Sequence, residues 1–127
     1  MGRILIVDDV DVNIMMLSMM LEDEYEIVQA SGGKEAIARM EEYACDFAAV
    51  LLDIVMPDMN GIEVLEVMNR RGWIDKLPIL VTTGDRDDET DRKCLELGAA
   101  GFICKPFAIR AVKESVHDAI DSFDGEK

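Results

Sequence analysis

No apolar run in the 127-residue chain approaches the roughly 20 residues needed to span a bilayer, so no transmembrane helix is expected. The start runs straight into a strand-like pattern, without the apolar h-region and cleavage site of a signal peptide. A basic stripe is also missing: 13 Lys and Arg stand against 27 Asp and Glu, for a formal net charge of -14. Such a surface repels a phosphate backbone, which argues against direct nucleic-acid binding. Most of the acidic excess reads as solubilising surface charge, with divalent cations or basic partners as its functional uses. Cysteine is sparse: Cys45, Cys94 and Cys104 are odd in number and form no C-x-x-C pair, so neither a disulfide framework nor a cysteine zinc site is indicated. Reduced thiols in a cytoplasmic, untargeted chain are the expectation. Internal repeats, low-complexity tracts and linkers are absent.

Half the residues are apolar, and the length suits one domain with a single core despite the charge. Short apolar runs alternate with helical spacing. Strands are expected at 3–7, 26–30, 47–52, 78–83 and 101–104, with helices at 13–21, 31–40, 62–69, 89–97 and 107–123. Five such βα units imply an α/β fold: a parallel sheet with helices on both faces, its strands near-continuously apolar because both sides are buried. The domain is expected over 1–123. Residues 124–127 read as a polar tail, either a natural end or the start of a linker.

Met15, Met16, Met19 and Met20 sit at helical spacing and are expected to fill the core, an adaptable partner-facing patch being the other reading. His117 lies among Ala111, Val112, Val116 and Ile120 in the last helix and reads as a surface or boundary residue rather than a site residue. The acidic run DRDDETD at 85–91 reads as a helix start, since Asp and Glu cap and favour helix N-termini; this is compatible with recognition of a basic partner.

Four apolar runs end in charge-handling residues: ILIV before Asp8 and Asp9, AVLL before Asp53, PILVT before Thr83, and GFIC before Lys105. Parallel strands would line these ends along one edge, where open α/β sheets place their chemistry. Three carboxylates brought together there would repel strongly unless a hard cation were present. Oxygen-only ligands suit Mg²⁺ or Mn²⁺ better than Zn²⁺, which usually recruits His or Cys. In LLDIVMPDMNG, Pro57 and the Asn60-Gly61 turn shape the loop after Asp53 and leave a carboxylate oxygen facing the solvent beside that cation. A carboxylate can attack phosphorus, the cation and Lys105 would offset charge on the transferred oxygens, and Thr83 would hydrogen-bond one of them.

With ILIVDD at 4–9, LLDIVMPDMNG at 51–61, PILVTTG at 78–84 and GAAGFICKPF at 98–107, nearly the whole chain resembles the receiver domain of two-component response regulators. The resemblance implies a doubly wound five-stranded parallel sheet in the flavodoxin-like order 2-1-3-4-5. It implies Asp53 as phosphoacceptor, taking phosphate from a histidine kinase, a phosphotransfer protein or a small phosphodonor. Asp9, Asp53 and the backbone carbonyl of Val55 would ligate Mg²⁺ directly, with Asp8 acting mainly through bound water. Thr83 corresponds to the family's mobile hydroxyl, chosen over Thr82 by alignment and strand alternation, and Lys105 to its phosphate-pairing lysine. Pro106 matches the family's cis proline, which would aim that lysine inward.

Phe102 falls at the switching aromatic position, with core packing as its ordinary alternative. Val55 and Asp85 occupy the positions that tune phosphate lifetime. Phosphorylation would then bias a two-state equilibrium and alter the surface of the fourth helix, fifth strand and fifth helix, leading to a homodimer or a docked partner. No output domain is expected within the chain, which is either a stand-alone receiver or one cut from a larger regulator. The competing classes are a non-switching pseudo-receiver and a Mg²⁺-dependent phosphatase, although the latter's D-x-D-x-T pattern is not met, since Ile54, Val55 and Met56 follow Asp53.

Overall fold

A computed structural model describes residues 2–125. Its elements run β1 (Arg3–Val7), α1 (Asp11–Leu21), β2 (Glu26–Ala30), α2 (Gly33–Glu42), β3 (Ala49–Asp53), α3 (Gly61–Arg70), a 3-10 turn at Trp73–Asp75, β4 (Ile79–Thr83), α4 (Asp88–Glu96), β5 (Gly101–Cys104) and α5 (Ile109–Gly125). The strands form one parallel sheet, as the alternation predicts, in the order β2-β1-β3-β4-β5, the doubly wound order that the receiver resemblance implies.

The period of two along each strand builds two separate cores. Ile4 and Ile6 of β1, Leu51 of β3, Leu80 of β4 and Ile103 of β5 face α1 and α5, meeting Ile14, Leu17, Leu21, Val112 and Val116. Leu5, Val7, Val50, Leu52, Ile79 and Val81 point the other way, onto Met40 of α2, Val64, Leu65 and Met68 of α3, and Cys94 of α4. At roughly 1.5–3 kcal/mol for each large side chain fully buried, these layers supply the main drive for folding.

Local signals set the helix starts. Asn60 accepts from the Glu63 N–H at 2.9 Å while the Glu63 carboxylate accepts from the Asn60 N–H at 3.3 Å, a capping box that opens α3. Asp87 accepts from the Thr90 N–H at 3.1 Å and starts α4, so the acidic run does open a helix.

Several boundaries differ from the sequence expectation. β3 begins at Ala49 rather than residue 47, because Phe47 is buried in the preceding turn, its N–H bonded to the Cys45 carbonyl at 2.9 Å. α1 starts two residues early, at Asp11, and the turn at Trp73–Asp75 was not anticipated. α5 begins after the buried Phe107 and runs through Asp124 and Gly125, the first half of the expected tail. Glu126 and Lys127 lie outside the described residues.

The methionine reading is corrected more sharply. Met15, Met16 and Met19 are 53%, 37% and 67% exposed, because Ile14, Leu17 and Leu21 already occupy the narrow stripe of α1 that faces the sheet. Only Met20 packs partly against the core. Among the described residues, no helix is long and apolar enough to cross a membrane.

Candidate functional site

Asp53 ends β3 and is almost fully buried, at 3% exposure. It continues the row of Ala49 and Leu51, just as Asp8 extends the row of Ile4 and Ile6 beyond the end of β1. Lys105 follows Ile103 in the same sense and reaches back across the sheet edge. Its Nζ donates to Asp53 Oδ1 at 3.0 Å and lies 3.8 Å from Asp8 Oδ2. Parallel register therefore brings the ends of β1, β3 and β5 to one point.

Asp8, Asp9 and Asp53 each offer a carboxylate oxygen, and these atoms all lie within 4.8 Å of one another; Asp8 and Asp53 are buried and Asp9 is exposed. Hydrogen bonds fix Asp8, which accepts from the Val10 N–H at 2.9 Å and from Asn13 Nδ2 at 3.1 Å. Burial raises the Asp53 carboxyl above its ordinary value; the Lys105 hydrogen bond opposes this, and the charges of Asp8 and Asp9 push it up further. Three carboxylates facing one ammonium group leave negative charge uncompensated. This oxygen-only donor set could hold a hard divalent cation, and it lacks the nitrogen and sulfur ligands that zinc favours.

The loop after β3 is shaped by close backbone approach. A Cβ at Gly61 would stand 2.4 Å from the Asp53 carbonyl oxygen and 2.8 Å from Ile54 Cα, so only glycine fits. The Gly61 N–H also binds the Ile54 carbonyl at 2.7 Å. Pro57 lies between these anchors. Val55 is 79% exposed and borders a cleft of about 340 Å³ together with Asp53, Thr83, Asp85, Thr90 and Lys105.

Thr83 is buried at the end of β4, but its Oγ1 donates to the Asp85 carbonyl at 3.0 Å rather than to Asp53. Thr82, paired in register with Asp53, has a buried hydroxyl without a hydrogen-bond partner among the described residues. The Lys105–Pro106 peptide bond is cis, and the Lys105 N–H binds the Thr83 carbonyl at 2.8 Å. Phe102 is half-buried on β5 and packs against the core that includes Val81 and Cys94.

The response regulator receiver domain family matches residues 4–117. The chain belongs to that family. Transcriptional regulatory protein SrrA of Staphylococcus aureus is 41% identical over 115 residues, which cover 87% of this chain and 44% of SrrA. Hybrid signal transduction histidine kinase L of Dictyostelium discoideum is 35% identical over 121 residues, 91% of this chain and 7% of that protein. The crystal structure of a CheY-like response regulator receiver domain protein from Methanospirillum hungatei superposes with a TM-score of 0.89 at 30% identity, over 100% of this chain and 99% of that one. The receiver spans less than half the length of the curated relatives described.

Three contacts around the receiver site were not read from the sequence. Asn13 braces Asp8. Asp58 accepts from the Gly33 and Lys34 N–H groups at 3.3 and 3.4 Å, tying the loop after β3 to the start of α2. Arg86 lies over the Phe102 ring, 4.4 Å from its centroid. Each partner is remote in sequence or in a different element, so no local pattern announced it. His117 stands apart from the receiver site on α5, half-exposed and paired with Glu24.

Proposed function

We propose that this chain accepts a phosphoryl group on Asp53 in a Mg²⁺-supported reaction, with Mn²⁺ as a substitute, and relays the event to an output partner. The observation that carries the reading is the buried Asp53 carboxylate, bonded to Lys105 and crowded by Asp8 and Asp9 at one strand edge. Asp8, Asp9, Asp53 and the Val55 carbonyl would hold the cation, which when bound neutralises charge on the phosphoryl oxygens.

An Asp53 carboxylate oxygen attacks phosphorus while the P–N bond of a phosphohistidine breaks and its electron pair returns to the imidazole nitrogen. Lys105, already within hydrogen-bonding distance of Asp53, moves its Nζ to a phosphoryl oxygen. Thr83 exchanges its bond to the Asp85 carbonyl for another phosphoryl oxygen. Water attack on phosphorus later releases phosphate and regenerates the Asp53 carboxylate. Exposed Val55 and nearby Asp85 border the cleft through which that water enters. The chain thus catalyses its own modification and its reversal without being a turnover enzyme for a free substrate.

The donor is a histidine kinase or phosphotransfer protein, consistent with the naming of the Dictyostelium relative as a hybrid histidine kinase. Movement of Thr83 and Phe102 changes the α4, β5 and α5 surface, where a second copy or an output partner docks. The cytoplasm, where the free thiols of Cys45, Cys94 and Cys104 persist, is the fitting compartment.

Intact mass after incubation with Mg²⁺ and acetyl phosphate tests the reading. The wild type gains a single phosphoryl adduct, which does not form when Mg²⁺ is chelated before the phosphodonor is added, and Asp53→Ala gains none. An adduct that survives in Asp53→Ala would overturn the acceptor assignment.

A further inference from the structure

We propose that Arg86 is a positioning residue that clasps Phe102 and couples β5 to the Thr83 hydroxyl, an inference that rests on Asp53 being the phosphoacceptor. The Arg86 guanidinium covers the Phe102 ring at 4.4 Å. Its Nε donates to Asp91 Oδ2 of α4 at 2.6 Å, and its Nη1 donates to Cys104 Sγ of β5 at 3.7 Å. One side chain in the loop after β4 therefore grips α4, the end of β5 and the aromatic ring together. A planar, always-charged fork suits this work, because it can stack on a ring while its edges donate hydrogen bonds.

The clasp is joined to the site through its own backbone. Thr83 Oγ1 donates to the carbonyl of Asp85, the residue immediately before Arg86. A hydroxyl has one proton to donate, so a phosphoryl oxygen on Asp53 that takes it must break the Thr83–Asp85 bond. That releases the Gly84–Asp85 backbone from β4, and Arg86 rides on the freed segment. Phosphorylation thereby loosens the grip on Phe102 and Cys104, and the intact grip favours the resting arrangement. The coupling lies in a specific two-state contact rather than in distance alone.

The chain carries a reporter for this movement. Cys104 is exposed and touches Arg86, whereas Cys45 and Cys94 are buried, so a native-state thiol reagent reads Cys104. The guanidinium beside the exposed thiol attracts an anionic reagent to it. The experiment measures the reaction of Cys104 with an anionic aromatic disulfide in wild type, Arg86→Gln and Arg86→Lys. Each is measured with Mg²⁺ alone and with Mg²⁺ plus beryllofluoride, a phosphoryl analogue whose binding is followed by fluorine NMR.

In wild type, beryllofluoride slows Cys104 by about two- to fivefold, the change expected on losing one exposed charge contact. Arg86→Gln is slow from the start and unresponsive, and Arg86→Lys recovers part of the response. Bound fluoride with an unchanged wild-type rate, or an Arg86→Gln response equal to wild type, overturns the clasp alone. Failure of wild type to bind beryllofluoride overturns the phosphoacceptor reading and the clasp with it.

Discussion

The end of β3 and the loop that follows it treat their carboxylates in opposite ways. At the strand end, burial and the neighbouring Asp8 and Asp9 raise the Asp53 carboxyl against the opposing bond from Lys105. A few residues on, Asp58 also meets an opposing desolvation effect, but the backbone N–H groups of Lys34, Gly33 and Met59 outweigh it and lower its carboxyl. The same loop is further satisfied by the Asn60–Glu63 capping box. The row beside Asp53, by contrast, includes the unpartnered Thr82 hydroxyl. Stability is thus gathered in the loop, and unspent electrostatic and hydrogen-bonding capacity is left at the strand edge, the division expected where binding or chemistry completes a site.

The most damaging way to break this comparison is to disturb the backbone contact between its halves. Gly61→Ala forces a Cβ to 2.4 Å from the Asp53 carbonyl, and a cost of about 3 kcal/mol is expected in urea unfolding. Asp53→Asn acts in the other direction, stabilising the metal-free protein at neutral pH by about 1 kcal/mol. The sign follows from linkage: a raised carboxyl contributes stability that is full below the ordinary value of 3.8 and lost as pH rises through the folded value. The advantage of the Asn variant should therefore vanish in acid, as unfolding curves at stepped pH would reveal.

Asp58→Ala should cost about 1 kcal/mol at neutral pH, the scale of a lost helix cap. Its pH dependence is the mirror image. A lowered carboxyl contributes stability present above its ordinary 3.8 and lost as pH falls through the folded value, so wild type and variant should converge on acidification. The smallest effect is expected at Thr82→Val, which replaces a buried, unpartnered hydroxyl with a methyl of similar shape and should raise stability by up to about 1 kcal/mol. A loss of stability in that variant would mean the hydroxyl has a partner in solution, and would narrow the contrast between the two regions.

The βα alternation was legible because its strands are short, apolar and buried on both faces, while its helices carry start signals such as Asn60 with Glu63 and Asp87 with Thr90. The meeting of Asp8, Asp53 and Lys105 was legible for the same reason: parallel strands in order place their ends together. The exposed α1 methionines were misread because helical spacing says which residues share a stripe but not how much of that stripe the sheet covers.

Residue types and their periodicity by themselves determined the strand and helix order and which charged groups end each strand. Tertiary structure alone decided that Asp58 caps α2 and that Arg86 covers Phe102. The physical reason is range. Pattern and capping act between neighbours within a few residues, whereas a hydrogen bond or a stacked cation depends on side-chain directions that are set only when whole elements pack.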